Sequence, residues 1–300
     1  MRADRSGIIC VWYACMLLSM LGQVASSAGQ TPPAPPRDVS RILHEFHRRQ
    51  AAAYEFSIDS EPNRKLEFRA KPVMSWTREG GSSGGWSGDV FVWTREGRAE
   101  VIGCVGSGPT DDGRRNVFHE FHSLALGPLS PVSIGDGWDW TPVGAAIELR
   151  AVENAPAPAE SPQLRLAQMR DLAGRFTAQM KESSEEKEAV LRLMPHPLFR
   201  YDKGNRPAVS EGAIFAFVFT QGTDPELLLL LEARDTPSGP RWHYAPARFT
   251  WRALWLRLGD QEVWRVGEHD ETWRTRVLRK PYATVRGKPV SLDELTAPKE

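Results

Sequence analysis

Cysteine is scarce in the 300-residue chain, which contains only Cys10, Cys15 and Cys104. The first two fall in an apolar N-terminal run, so the remainder of the chain has one thiol and cannot form an internal disulfide. This excludes the small, disulfide-stapled class of secreted scaffold, and stability must come from a hydrophobic core. Cys104 lies in an apolar, strand-like stretch, where we expect a buried and unreactive thiol.

Net charge is also absent, because 38 basic and 38 acidic side chains cancel. A neutral chain gives no electrostatic reason to expect nucleic acid as a partner. The sequence has no Asn-x-Ser/Thr sequon. Together with the missing disulfides, this favours a bacterial envelope compartment over a eukaryotic secretory pathway. Apolar residues at 41% and charged residues at 25% are typical of a folded globular protein.

The N-terminus has the three parts of a secretory signal peptide. Arg2 and Arg5 give a positive start, residues 8–21 form an uncharged apolar run, and residues 24–28 are mostly small. The apolar run is shorter than the roughly 20 residues that a membrane-spanning helix needs. We therefore predict export to the periplasm or the extracellular space.

Cleavage of this signal peptide is expected after Ser26 or Ala28. An uncleaved membrane anchor is one alternative, and a lipoprotein attached through Cys15 is another. After removal of residues 1–28, no transmembrane span is expected in the mature chain.

Two proline-rich runs divide the rest of the chain, and such runs favour extended, solvated linkers. Each is followed by helical periodicity and then by apolar runs typical of strands. The predicted organisation is a signal peptide (1–28), a Pro-rich linker (29–37), module 1 (38–152), a Pro/Ala linker (153–162), module 2 (163–280) and a C-terminal tail (281–300).

The helix predicted at the start of module 2 depends on one apolar stripe. Its members recur at helical spacing: Leu166, Met169, Leu172, Phe176 and Met180. Further along, residues 227–231 are five consecutive leucines, which we interpret as a buried strand because turn residues flank them.

Module 2 is predicted to repeat module 1. Similar or identical residues recur at an offset of 124 to 126, among them the pairs Trp76/Tyr201, Gly88/Gly212 and His119/His243. The predicted fold class is therefore α+β, with two tandem modules of a helix and an antiparallel sheet related by internal duplication. The order of elements resembles cystatin-like or NTF2-like half-rolls.

One part of module 2 shows a more specific resemblance. Residues 212–217, 222–226 and 228–234, taken with residues 118–124 of module 1, are similar to a set of uncharacterised exported bacterial proteins. The resemblance covers most of the mature chain and implies no activity.

The sequence His-Glu-Phe-His occurs at 44–47 and at 119–122. Neither copy has the four-residue histidine spacing of a zinc protease helix, so no metal and no cofactor are predicted. The first copy is interpreted as an exposed polar helix face. In the second copy His119, Glu120 and His122 are the candidate catalytic residues, with Glu120 and His122 on one strand face as an acid–base pair.

Tryptophans supply the candidate binding residues: Trp251, Trp255, Trp138 and Trp140. Aromatic side chains on a sheet surface stack on sugars or anchor a protein partner. The sequence therefore favours a non-catalytic binding or assembly protein whose partner is a protein or a glycan of the cell envelope. An envelope hydrolase or isomerase that uses the three candidate catalytic residues is the alternative.

Overall fold

The computed structural model describes residues 37–78, 85–181, 188–202, 209–220, 222, 224–270 and 276–296. These belong to one compact unit, Ala34–Glu300. The predicted signal peptide and the linker up to residue 36 lie outside the described residues.

The described chain forms three helices and eighteen strands. The helices are α1 (Arg37–Ala52), α2 (Pro162–Ala173) and α3 (Leu292–Thr296). The strands are β1 (Glu67–Phe68), β2 (Met74–Arg78), β3 (Trp86–Arg95), β4 (Arg98–Pro109), β5 (Arg115–Ser123), β6 (Val132–Ile134), β7 (Trp138–Trp140), β8 (Arg150–Ala151), β9 (Phe176–Lys181), β10 (Glu188–Leu193), β11 (Phe199–Asp202), β12 (Val209–Val218), β13 (Pro225–Arg234), β14 (Arg241–Arg248), β15 (Leu254–Leu258), β16 (Gln261–Val266), β17 (Val277–Leu278) and β18 (Tyr282–Arg286).

The first sheet has six strands in the order β1-β3-β4-β5-β18, with β2 also paired to β3. Successive side chains of a strand point to opposite faces. In β3 this places Phe91 and Trp93 against α1, in a core that includes Phe46. Val90 and Val92 point the other way, toward the second sheet. Both faces of β3 are therefore buried.

The second sheet has nine strands in the order β16-β15-β9-β10-β12-β13-β14-β8, with β11 also paired to β12. Met169 of α2 is buried against one of its faces. Leu227 and Leu229 of β13 share that core, whereas Leu228 and Leu230 pack toward the first sheet. The strand predicted for the five leucines is confirmed. The run is apolar on both faces because the strand is buried on both faces.

A third core fills the space between the two sheets. Val92 and Ile102 of the first sheet belong to the same buried cluster as Ile214, Leu228 and Ala245 of the second. The order of layers is therefore α1, first sheet, second sheet and α2. Each sheet buries one face under a helix and the other against its neighbour.

The predicted fold class is wrong. The described chain is mostly β, in three largely antiparallel sheets, and is not an α+β duplication of two helix-plus-sheet modules. Strand β18 belongs to the predicted C-terminal tail yet pairs with β5 in the first sheet. Strand β8 belongs to predicted module 1 yet pairs with β14 in the second sheet. Each sheet therefore includes a strand from outside the contiguous segment that was predicted to form it.

The helix predicted in module 2 is also too long. Helix α2 ends at Ala173, and Phe176 and Met180 lie on β9, where they are buried together with Ala178. A spacing of four residues places two side chains on one face of a helix. Because four is an even number, the same spacing also places them on one face of a strand. The stripe was therefore compatible with both structures at its C-terminal end.

The third sheet is small and joins distant parts of the chain. Strand β7 pairs with β6 and, in parallel, with β17. Trp140 is fully buried there, and its indole Nε1 donates to the carbonyl of Lys280 at 3.0 Å. Among the helices that the structure describes, none combines the length and the hydrophobicity required to cross a membrane.

Both large sheets place an aromatic ring over a glycine of the neighbouring strand. Trp76 of β2 is opposite Gly88, and Tyr201 of β11 is opposite Gly212. A Cβ added to Gly88 would lie 2.8 Å from the Trp76 ring, and one added to Gly212 would lie 2.3 Å from the Tyr201 ring. Each glycine is therefore required by the close approach of the ring.

We expect Gly212→Ala to lower the free energy of unfolding by about 1–3 kcal/mol, because the new methyl group displaces the buried Tyr201 ring. The matched control is Gly127→Ala, since a Cβ at Gly127 would have no atom within 4 Å. Urea unfolding of both variants measures the difference. Equal stabilities for the two variants would contradict the close packing of Tyr201 on Gly212.

Candidate functional site

A cleft of about 420 Å³ opens between the first sheet and the ends of β13 and β14 in the second sheet. We call it the inter-sheet cleft. Its aromatic lining residues are Trp76, Trp86, Phe118, Phe249, Trp251 and Tyr282; its ionisable ones include Arg78, Glu120, Asp224, Glu226, Arg252 and Arg286. The volume lies within the range of about 300–1,000 Å³ that small-molecule sites occupy.

Three rings of the first sheet form an apolar row in the cleft. The Phe118 ring centroid lies 6.1 Å from that of Trp76 and 6.0 Å from that of Trp86. Beneath two of these rings are glycines of β4: a Cβ on Gly106 would lie 2.3 Å from Phe118, and one on Gly108 would lie 2.1 Å from Trp86. The glycines let the rings lie close against the strand and present a flat surface.

Two carboxyl groups of the cleft are largely enclosed by protein. Burial raises the pKa of Glu120 to about 8, although the hydroxyl of Tyr282 donates to its Oε1. Burial and the nearby Asp224 raise the pKa of Glu226 to about 7, against the effect of a hydrogen bond with Thr250. At neutral pH Glu120 is therefore mainly a neutral acid, able both to donate and to accept a hydrogen bond.

Arg248 holds the segment that carries Trp251. Its guanidinium donates to the carbonyl oxygens of Thr250 and Trp251 at 2.9 Å and to that of Arg252 at 2.8 Å. The same guanidinium lies over the Tyr282 ring, 5.2 Å from its centroid. Since three carbonyls share one buried cation, the position of this wall of the cleft is fixed by Arg248.

The three candidate catalytic residues do not converge. His119 is buried on the opposite strand face, where its Nδ1 lies 2.9 Å from the hydroxyl of Tyr54. Glu120 lines the cleft. His122 is on the Glu120 side but buried, and its Nδ1 donates to the carbonyl of Ser123 at 2.6 Å. Burial lowers the pKa of His122 to about 4, so it is neutral at physiological pH.

The predicted equivalence of His119 and His243 is not seen in the strand register. His119 is opposite Val105, and His243 is opposite Glu232. His243 is only half-buried, whereas the next residue, Tyr244, is buried in the core of the second sheet. A shift of one residue reverses the face of a strand, so the two histidines face different surroundings.

The four candidate tryptophans lie in different places. Trp251 lines the cleft with 45% of its surface exposed. Trp255 is half-buried on β15, outside the cleft lining, with the Arg265 guanidinium 5.3 Å from its ring centroid. Trp138 is half-buried and Trp140 is fully buried in the third sheet. Of the four, only Trp251 contributes to the cleft.

The first His-Glu-Phe-His copy is not an exposed polar face as predicted. His47 is fully buried, and the Nδ1 atoms of His44 and His47 each lie 2.8 Å from a carboxylate oxygen of Asp89. The Nε2 of His47 lies 3.2 Å from the hydroxyl of Ser107, which also accepts from Arg115 at 3.0 Å. Because Ser107 has no exposed surface, this aspartate–histidine–serine chain joins α1 to the first sheet and does not reach solvent.

The charge states in this buried cluster follow from its contacts. Burial lowers the pKa of His47, so its imidazole is neutral. Burial acts to raise the pKa of Asp89, but hydrogen bonds from His47, Ser75 and His44 outweigh it and lower the pKa. Asp89 is therefore an ionised acceptor that several donors share.

Several cleft residues were not predicted from the sequence. Tyr282, Thr284 and Arg286 come from the segment interpreted as a C-terminal tail. Glu226 was missed, although it directly precedes the five leucines of β13, where a buried carboxyl group is unusual.

Across the described residues, no group of three or more His, Cys, Asp or Glu side chains is placed to hold a metal ion. The chain matches no protein-family model, no curated protein and no solved structure. The resemblance to exported bacterial proteins stays a prediction.

Proposed function

We propose that the protein is an exported binding protein whose inter-sheet cleft holds a saccharide. The observation that carries this proposal is the exposed Trp251 ring at a cleft that also contains the enclosed carboxyl group of Glu120. Saccharides present flat C–H faces, which stack on aromatic rings, and hydroxyl groups, which need partners that both donate and accept. Export is supported by the N-terminal signal pattern.

The dimensions of the cleft favour a small ligand or a short part of a chain over a folded protein. A stable protein interface buries on the order of 800 Å² on each partner. A cavity of about 420 Å³, lined by aromatic rings and by charged and hydrogen-bonding side chains, has the size of a small-molecule site. Two aromatic surfaces, Trp251 and Trp86, both exposed by more than a third, are available for sugar rings.

The hydrolase alternative has less support. Glu120 has the raised pKa expected of a general acid. His119, however, faces the opposite side of the sheet and contacts Tyr54, and His122 is not part of the cleft lining. Binding needs only the groups that are present in the cleft, whereas of the three candidate catalytic residues only Glu120 lines it.

We expect Trp251→Ala to weaken saccharide binding by about five- to thirtyfold, because stacking on one aromatic ring contributes on the order of 1–2 kcal/mol. The measurement is calorimetric titration with neutral and acidic oligosaccharides of three to six sugar units. Trp255→Ala is the matched control, since Trp255 lies outside the cleft lining. Equal losses in both variants, or binding by neither the wild type nor any variant, would overturn the proposal.

A further inference from the structure

The basic side chains of the cleft are unequally paired. Arg78 lies 3.3 Å from a carboxylate oxygen of Asp224, so these two charges offset each other. Arg252 and Arg286 also line the cleft, and neither forms an ion pair with a carboxylate in the described part of the chain. Two guanidinium groups therefore line the cleft without an ion pair to a carboxylate of those residues.

The enclosed acids offset this charge only in part, since only Glu226 is attracted to Arg252. Glu120 is hydrogen-bonded to the neutral Tyr282, and Glu226 to the neutral Thr250. Burial raises the pKa of both groups, so that at neutral pH Glu120 is mostly uncharged and Glu226 is about half ionised. The positive charge of Arg252 and Arg286 exceeds the negative charge near them.

Arg252 is also close to the stacking surface. Its guanidinium carbon lies 5.7 Å from the centroid of the Trp251 ring. The guanidinium lies over one face of this ring, so a cation and an aromatic surface are direct neighbours in the cleft. Guanidinium groups bind carboxylates through paired hydrogen bonds, which neutral hydroxyl groups do not match in strength.

We infer that the ligand of the inter-sheet cleft is an acidic saccharide, a chain of uronic acid units whose carboxylates bind Arg252 and Arg286. This inference rests on the proposed saccharide-binding function and specifies its ligand class. The protonated carboxyl group of Glu120 fits the same ligand, because a neutral acid can donate to a carboxylate oxygen whereas an ionised one repels it.

The test compares charged uronic acid oligomers with their uncharged methyl esters. Oligogalacturonate and oligomannuronate of four units are titrated against their methyl esters, using the full mature chain and the variants Arg252→Gln and Arg286→Gln. We expect the acids to bind at least about tenfold more tightly than the esters, and each variant to lose about tenfold for the acids while its affinity for the esters changes little. Added salt should weaken binding of the acids only.

The control variant is Arg192→Gln, which removes an exposed arginine outside the cleft lining. Equal binding of acids and esters, or binding of neutral oligosaccharides without binding of either acid, overturns the acidic-ligand inference and leaves saccharide binding intact. Absence of binding to every oligosaccharide overturns the proposed function itself. If Arg192→Gln loses as much affinity as the cleft variants, Arg252 and Arg286 are not the residues that bind the ligand's carboxylates, and the inference is wrong.

Discussion

Arg98→Leu is expected to lower the free energy of unfolding by about 3–5 kcal/mol, the cost of breaking a fully buried ion pair by removing one partner. The Nε of Arg98 donates to Glu232 at 2.7 Å, and its Nη1 donates to Glu100 at 2.8 Å and to the carbonyl of Leu124 at 2.9 Å. Burial alone would lower the pKa of Arg98, but the attraction of Glu232 and Glu100 outweighs it and raises the pKa.

The contact between Arg98 and Glu232 crosses from the first sheet to the second, so its loss affects the packing of the whole molecule. Leucine leaves Glu232 buried with a weaker set of partners, Tyr201 and Arg234, each at 2.6 Å. The measurement is urea unfolding at neutral pH. The matched control is Arg265→Leu, which breaks an exposed pair with Glu262 and should change stability little.

A double variant identifies the cause of the loss. Removing both charges, as in Arg98→Leu with Glu232→Leu, should recover part of the stability, because the buried carboxylate that lost its Arg98 partner disappears. If the double variant is no more stable than Arg98→Leu, the loss comes from altered packing and the electrostatic explanation is wrong.

Glu120→Gln is expected to stabilise the protein strongly at pH 9 and only slightly at pH 5. Burial raises the pKa of Glu120 to about 8 from an ordinary value of 4.5. The folded state therefore holds this proton more tightly than the unfolded state, and the cost of ionising Glu120 appears as the pH rises from 4.5 through 8. Glutamine keeps the shape and has no charge to bury.

The gain from Glu120→Gln should be roughly 4 kcal/mol larger at pH 9 than at pH 5, since each pKa unit corresponds to about 1.4 kcal/mol. Urea unfolding of the variant and the wild type at the two pH values gives this difference directly. Titrating groups that do not interact with Glu120, such as His47, affect both proteins alike and cancel. Glu262→Gln, at an exposed site, is the control that should show no such difference. A gain independent of pH would contradict the burial of the Glu120 carboxyl group.

Local features of the fold could be predicted from the sequence. The five leucines of β13 and the alternating apolar residues of β9 indicate that these two segments are buried. The sheet assignments could not be predicted in the same way, because apolar periodicity identifies a buried face but not the strand that pairs with it. For this reason β18 was interpreted as a tail. The helix before β9 was predicted too long for a different reason, because the four-residue spacing of Phe176 and Met180 fits one face of a helix and one face of a strand.

The candidate site was predicted only in parts. Glu120 and Trp251 were both identified, one as an acid and the other as a binding aromatic residue. Their convergence depends on the packing of one sheet on the other, which no local pattern in the sequence reports. Tyr282 was missed for the same reason, since it reaches Glu120 through the pairing of β18 with β5.

The position of β18 also has a consequence for how the protein folds. Tyr282 and Glu120 are 162 residues apart in the chain. Closing so long a loop loses entropy before any contact formed by β18 offsets it, and contacts of this range slow folding. We therefore expect the edge of the first sheet beside β5 to be completed late in folding, and with it the wall of the cleft that carries Tyr282.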